Sequence, residues 1–292
     1  MTQFSRESIR PIAIIPAEAA LGAEVRCGRL QSIDDTIFGE IRQAWLDNLV
    51  LLFRDQTLSD AQFLEFGRRF GPLKSAAAAD RHNELHIVSN VHVDGLPIGI
   101  QGHGEIVWHS DMVSFSKPPA ASLLHAIVIP PSGGDTSFSN MYVAYDTLPK
   151  SLKRKLAGLT LKHEVSPNSA ESGTGASHPL VCTHPDTGCN ALFLGSRFNT
   201  CINELPRHES DILLEFLWLH ATQPEFVWRH RWRVGDLVVW DNRCLLHRRE
   251  AFASNARRIL LRTQVEAGEP PRIAADALER PVHRRGLALI GR

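Results

Sequence analysis

The stretch Trp108-His109-Ser110-Asp111, read with a distant His in Trp240-Asp241-Asn242-Arg243-Cys244-Leu245-Leu246-His247, constrains this chain more than any other feature. On an extended segment side chains alternate with a period of two, so His109 and Asp111 point to one face. A fold that adds His247 must bring together segments far apart in sequence. Two imidazoles and a carboxylate are the donors that hold a non-heme ferrous ion by one triangular face and leave the opposite face open. A structural zinc would want four protein ligands and no open position. The pattern therefore points to a catalytic kind of metal site. His-x-Asp alone would not carry that conclusion. The chain has 14 His, and a strand His hydrogen-bonded to a neighbour explains most such pairs.

Length and composition narrow the setting. At 292 residues the chain fits one large β-rich domain. Lys+Arg and Asp+Glu both number 32, so nothing global draws it to nucleic acid or to an anionic membrane. The five Cys (27, 182, 189, 201 and 244) form no C-x-x-C pair, and reduced buried thiols in a cytosol are the simplest reading. No leader-like segment and no run long enough to span a membrane stand out, so the expected location is cytoplasmic.

Along the chain, short apolar segments alternate with Gly and Pro punctuation. Residues 12–15 and 23–25 read as opening strands, and Ser32 begins a helix with Asp35 as an imperfect capping box. Residues 49–53 read as a strand buried on both faces. Ser59 and Gln62 form a capping box for a second helix, whose core side is Phe63, Phe66 and Phe70 and which ends at Gly71-Pro72. Residues 73–84 read as a loop, and strands follow at residues 85–91, through His109, and at residues 121–129. The turn Gly133-Gly134-Asp135 delivers Thr136 onto another strand. Pro149 opens a short basic helix through Leu156.

Residues 166–177 shift to Ser, Gly, Asn and Ala, a loop of unusual length for a compact domain and expected to act as a lid. A hairpin follows over residues 180–194, then a helix over residues 209–221. A strand then turns Phe226, Trp228, His230 and Trp232 inward, with Arg229, Arg231 and Arg233 outward. In the last strand, residues 257–265, Arg258, Leu260, Arg262 and Gln264 share a face. Residues 1–265 are thus expected to form one domain, and residues 266–292 a loosely attached tail.

Taken in order, these motifs resemble the TauD/TfdA family of Fe(II)- and 2-oxoglutarate-dependent dioxygenases over roughly residues 10–265. The resemblance rests on Leu52-Phe53-Arg54-Asp55-Gln56, Phe70-Gly71-Pro72-Leu73, Trp108-His109-Ser110-Asp111 and Gly133-Gly134-Asp135-Thr136. It continues in His178-Pro179-Leu180-Val181, Thr183-His184-Pro185, Trp240-Asp241-Asn242-Arg243, His247 and the final arginine strand.

The resemblance implies a mainly β fold with flanking helices, a distorted double-stranded β-helix or jelly-roll. It implies His109, Asp111 and His247 as iron ligands, and Thr136, Trp232 and Arg258 around 2-oxoglutarate. Arg262 is placed on an anionic group of the primary substrate, and Glu105 beside it. A planar guanidinium fits a carboxylate bidentately, which independently suits Arg258. The implied reaction is hydroxylation by O2, with succinate and CO2 as co-products, on a small sulfonate, sulfate ester, carboxylate or aryloxy acid. Asp111 favours hydroxylation, since related halogenases lack that carboxylate. The stretch from Lys74 to Ala79 offers no His where taurine-using members have one, which argues against taurine. A homo-oligomer is the family's expectation. Three alternatives remain at this stage: the same chemistry on an amino-acid-like or lipid-like substrate; a non-catalytic binding module, which would leave four inward polar residues purposeless; and a zinc hydrolase, which lacks an evident general base.

Overall fold

Alternation within four-residue strands sorts the core of this molecule into two layers. The computed structural model describes residues 12–75, 83–164, 175–273 and 280–290. The larger sheet contains β1 (Ala13–Pro16), β2 (Ala23–Arg26), β3 (Val50–Phe53), β4 (His86–Ser89), β6 (Ala121–Val128), β9 (Leu237–Asp241) and β11 (Ile259–Val265). Their order across the sheet is β1-β2-β3-β9-β6-β11-β4. Only β2 and β3 pair in parallel. The smaller sheet contains β5 (Ile106–His109), β7 (Thr136–Asn140), β8 (Val227–His230) and β10 (Leu245–Arg249), in the order β8-β7-β10-β5.

In β3, Leu51 and Phe53 join one core cluster, whereas Val50 and Leu52 join the other. In β9, Leu237 and Val239 likewise separate from Val238 and Trp240. A strand buried on both faces needs this continuous apolar run. The outer cluster packs under α1 (Asp35–Asn48) and α2 (Asp60–Arg68) through Phe38, Trp45, Phe63 and Phe66. The inner cluster joins the large sheet to Phe138 and Leu246 of the small one. This two-layered, mainly β arrangement is the expected jelly-roll, and the pocket described below opens between the sheets.

Several expectations hold in detail. Ser59 and Gln62 make the reciprocal capping box of α2, with Gln62 Oε1 accepting from Ser59 N at 2.9 Å. Gly133 and Gly134 both adopt positive φ, as a turn into β7 requires. The hairpin appears as the strands Val181–Thr183 and Asn190–Leu192. Pro149 caps α4 (Lys150–Leu156), which follows α3 (Met141–Asp146), and α5 spans Arg207–Ala221.

Others need correction. Ser32 does not begin α1; it lies in a 3-10 turn, and Asp34 is the cap, its Oδ1 accepting from Ile37 N at 2.8 Å. The reason is local, since Ile33 is extended and leaves Asp34 at the point where helical dihedrals start. β8 stops at His230, so Trp232 is buried beyond the strand rather than within it. Residues 166–174 of the expected lid lie outside the described residues. Ala176 and Ser177 do not belong to a loop, since they pair with residues 162 and 163 in a separate sheet.

The C-terminal segment is tied down at its far end. α6 (Arg284–Ile290) follows His283, which is buried and stacks on Tyr142 at 4.5 Å between centroids. The Arg285 guanidinium donates to the carbonyls of Ala17, Ala19 and Gly22 and to Asn48 Oδ1 at 2.6 Å. Loose attachment is therefore not what residues 283–289 show. The motif-poor sequence concealed a guanidinium that satisfies carbonyls left over by a loop. Arg285→Ala should lower unfolding free energy by about 2 kcal/mol, measured by urea denaturation with the slope unchanged.

Candidate active site

Antiparallel pairing of β10 with β5 sets His247 directly across from His109. Their rings lie 4.1 Å apart between centroids. Asp111 reaches them differently from the expected strand alternation. β5 ends at His109, and residues 111 and 112 form a turn in which Met112 has a φ of 54°. Two backbone clamps aim the turn. Ser110 N donates to Gly195 O at 2.8 Å. Asn242 Oδ1 accepts from Asp111 N at 2.8 Å, while its Nδ2 donates to Asp111 O at 3.1 Å. The carboxylate thereby brings Oδ1 to 3.8 Å from His109 Nε2 and 3.7 Å from His247 Nε2. These ligand atoms all lie within 4.8 Å of one another.

The protonation states suit a cation. His109 Nδ1 lies 2.8 Å from the Val107 carbonyl, which can only accept, so that contact fixes Nδ1 as the donor and turns Nε2 toward Asp111. Burial, with the nearby His109 and Arg262, pushes His247 down to about 3, despite the opposing effect of Asp111. Its imidazole is neutral at physiological pH. Burial would raise the Asp111 carboxyl, but His247, Arg262, His109 and the Ser122 hydroxyl hold it down to about 2. Ser122 Oγ donates to Asp111 Oδ2 at 2.6 Å, and Gln264 Nε2 donates to Ser122 at 3.2 Å. Oδ2 is thus occupied, and Oδ1 is the oxygen presented to the two imidazoles. Two imidazoles and a carboxylate converge from one side, which fits a ferrous ion with an open face.

The pocket beside them has a volume of about 420 Å³ including its open mouth, and Thr136, Trp240, Arg249, Arg258 and Arg262 share its lining. Arg258 is only 2% exposed, and burial pushes its guanidinium down to about 9. One of its terminal nitrogens donates to Gly134 O at 3.4 Å, while its Nε has no partner among the described residues. A side chain at Gly134 would come within 3.3 Å of that Nε, which adds packing to the positive φ as a reason for glycine. Buried charge without an acid beside it costs several kcal/mol. A carboxylate placed in the pocket would offset that cost.

Thr136 also lines the pocket, and its Oγ1 accepts from Trp232 Nε1 at 3.0 Å. Trp232 is buried behind Thr136, outside the pocket lining, with the Arg258 guanidinium 5.9 Å from its ring. Arg262 enters from β11 in the opposite sheet, beside Asp111. Glu105 is not brought in. Its carboxylate is half exposed and lies 3.7 Å from Arg248, because Arg248 alternates to the face of β10 opposite His247. His103 likewise stays outside the lining, although its carbonyl accepts from Phe252 N.

Ser122, Gln264 and Arg249 carry no motif signal, and the sequence reading passed over them in this role. Asn242 could have been found, since it sits in the Trp-Asp-Asn-Arg motif. Asp241 of the same motif is buried between His184 Nε2 at 3.0 Å and Arg243 at 2.6 Å. That ion pair links Thr183-His184-Pro185 to the site, and Arg243 makes it a structural cluster rather than a second cation site.

The pattern of the Taurine catabolism dioxygenase TauD, TfdA family matches residues 9–264. The chain belongs to this family. It is similar to the alpha-ketoglutarate-dependent 2,4-dichlorophenoxyacetate dioxygenase of Cupriavidus pinatubonensis, at 39% identity over 80% of this chain and 89% of that one. The (S)-phenoxypropionate/alpha-ketoglutarate-dioxygenase of Sphingobium herbicidovorans is 33% identical over 88% of this chain and 95% of its own length. Among solved structures, AAD-2 in complex with Mn(II) and N-oxalylglycine superposes with a TM-score of 0.79. It is 30% identical and covers 90% of this chain and 100% of that one. A putative alpha-ketoglutarate-dependent taurine dioxygenase from Burkholderia xenovorans gives the same TM-score at 33% identity, covering 90% of this chain and 92% of that one. The TauD/TfdA member described here is a 2-oxoglutarate-dependent dioxygenase, with Fe(II), 2-oxoglutarate and O2 as its requirements. That excludes the binding-module and zinc-hydrolase alternatives.

Two outcomes follow from this geometry. Ser122→Ala frees Asp111 Oδ2 and should weaken Mn(II) affinity roughly 10- to 100-fold, read by calorimetry on the full chain. The second concerns pH. Burial lowers both His163 and His247 from 6.5 to about 3. Below about pH 6.5 the unfolded chain binds protons that the folded chain refuses. The metal-free protein should therefore lose stability as pH falls from 6.5 toward 3, seen as a falling urea midpoint.

Proposed function

We propose that His109, Asp111 and His247 hold the ferrous ion, that Arg258 and Thr136 receive the remote carboxylate of 2-oxoglutarate, and that Arg262 grips an anionic primary substrate of the aryloxyalkanoate class. The observation that carries this reading is the union, in one pocket, of two converging imidazoles and a carboxylate with a buried guanidinium that forms no ion pair among the described residues. When bound, iron with 2-oxoglutarate and O2 supplies oxidation of a substrate C–H bond, with succinate and CO2 as co-products.

The protein's own part is positioning. Asn242 and Ser122 hold Asp111 so that one oxygen faces the imidazoles. Trp232 donates to Thr136 and leaves the hydroxyl proton able to point at a carboxylate. Arg258 offers a planar fork to the same carboxylate. Arg262 enters from the other sheet, so an acid gripped there lies across the pocket with its adjacent carbon toward Asp111. The apolar side chains of Val88, Ile106, Leu124 and Trp240 line the remainder, exclude water and suit an aromatic body.

Similarity to the 2,4-dichlorophenoxyacetate and phenoxypropionate enzymes supports an aryloxy acid over a sulfonate. In such a substrate, hydroxylation next to the ether oxygen leaves a hemiacetal that breaks down to a phenol and an oxoacid. A 28%-identical relative, the alkylsulfatase of Acinetobacter baylyi, motivates including sulfate esters in the test.

Cys27, Cys182, Cys189, Cys201 and Cys244 are all free thiols, which supports a cytoplasmic setting; no described helix is long and apolar enough to cross a membrane. A homo-oligomer completes the proposal. Ile212, Phe216 and Leu219 make an exposed apolar stripe on α5 suited to such a contact, and light scattering would read the assembly state.

The deciding assay is substrate-dependent succinate formation over aryloxyacetates, phenoxypropionates, alkyl sulfates, sulfonates and amino acids. Aryloxy acids should give the highest kcat/KM. Asp111→Ala should abolish succinate formation, and a variant with wild-type turnover would refute the ligand assignment. Arg262→Gln should raise the KM for the aryloxy acid at least roughly tenfold while leaving the KM for 2-oxoglutarate in place.

A further inference from the structure

Arg249 is the third guanidinium of the pocket and the one for which no role has been given. It lies two residues beyond His247 on β10, so alternation turns both to the inner side while Arg248 turns out. Arg249 is 6% exposed and lines the same pocket as His109, Asp111 and Arg258. Its register partner on β7 is Thr136. Its guanidinium lies 5.3 Å from the Phe252 ring, and a side chain on Gly134 would touch that ring and Arg258 alike. Arg249 and Arg258 thus flank one small region, at the turn that delivers Thr136.

Neither residue forms an ion pair among the described residues. Arg249 donates to the Gly104 carbonyl, and its Nε, like that of Arg258, is buried without a partner. Glu250, which follows Arg249 in sequence, pairs with Arg229 at 2.7 Å, and Asp135, whose charge reaches Arg258, is itself engaged by Arg229 at 2.9 Å. Two like charges kept together out of water repel unless an anion lies between them. Asp111 does not serve, since its two oxygens are taken by Ser122 and by the face toward the imidazoles.

We propose that Arg249 is a second cation on the remote carboxylate of 2-oxoglutarate, acting with Arg258 and Thr136. This rests on the iron and 2-oxoglutarate reading of the site. The primary substrate is the other anion that could claim Arg249, but the proposed grip for it, Arg262, projects from the opposite sheet beside Asp111. Arg249 is held by register to Thr136 instead. Its side chain selects a co-substrate with a carboxylate at the far end over a keto acid without one.

The test uses the full chain loaded with Mn(II), with binding of 2-oxoglutarate and of 2-oxovalerate, which lacks the remote carboxylate, followed by calorimetry. Arg249→Met should weaken 2-oxoglutarate binding roughly tenfold or more and leave 2-oxovalerate binding unchanged. Arg249→Lys, which keeps the charge without the fork, should recover part of the loss. Equal weakening of both keto acids would overturn the proposal and make Arg249 a packing residue. Unchanged 2-oxoglutarate binding with weakened binding of 2,4-dichlorophenoxyacetate would overturn it in favour of the primary substrate. Should the wild-type protein itself show no Mn(II)-dependent preference for 2-oxoglutarate, the failure would lie with the underlying site reading.

Discussion

The Asp111 carboxylate is the constraint on which the site turns. It is buried, it is charged, and it lies beyond the end of the strand that carries His109. Keeping such a group ionised away from water is expensive unless hydrogen bonds and opposite charge surround it. Here Asn242 takes the backbone on both sides, Ser122 takes one carboxylate oxygen, and the remaining oxygen is left toward two imidazoles. Those supports come from three strands or turns distant in sequence. The fold's long-range pairing is therefore what creates the donor set.

The two sheets divide the work. The small sheet supplies both imidazoles, Thr136 and Arg249. The large sheet supplies Ser122, Gln264 and Arg262, and Arg258 lies at the edge where its last strand begins. Anionic ligands meet positive charge from both layers, and the two layers meet only because apolar residues of each interdigitate around Phe138, Trp240 and Leu246. Trp240 contributes to both roles, packing in that core and lying 4.9 Å from the His247 ring. Loss of packing there would disturb the placement of His247 against Asp111 and His109. The outer helices contribute nothing directly to the pocket; α1 and α2 cover the far face of the large sheet and keep its strands in register.

Where sequence reasoning fell short, the shortfalls share a cause. Glu105 was placed near the substrate by counting back from His109, but side-chain direction at a strand's entry depends on the neighbouring strand, and Arg248 captures it. Trp232 lies beyond the strand on which the alternation puts it, where its indole donates to Thr136 and its ring packs near Arg258. The C-terminal helix was hidden because its anchor, Arg285, satisfies carbonyls that no sequence pattern marks as needing a partner. Asn242 alone among the overlooked supports had a signal, since an Asn between Asp and Arg after a buried strand has little reason to be there unless it bonds backbone.

Patterns of short range were legible: the strand read at residues 49–53, the capping box at Ser59 and the Gly133-Gly134 turn. Each depends on local dihedrals, periodicity or the chemistry of a residue type, which the amino-acid sequence by itself determines. Only the tertiary structure decided which strand lies beside which, and so which buried groups find partners. That step put Ser122 under Asp111, tied Thr136 to Trp232, and left Arg249 and Arg258 together without an acid. Hydrogen bonds and charge act over a few ångströms, and residues far apart in the chain come within that range only through the fold.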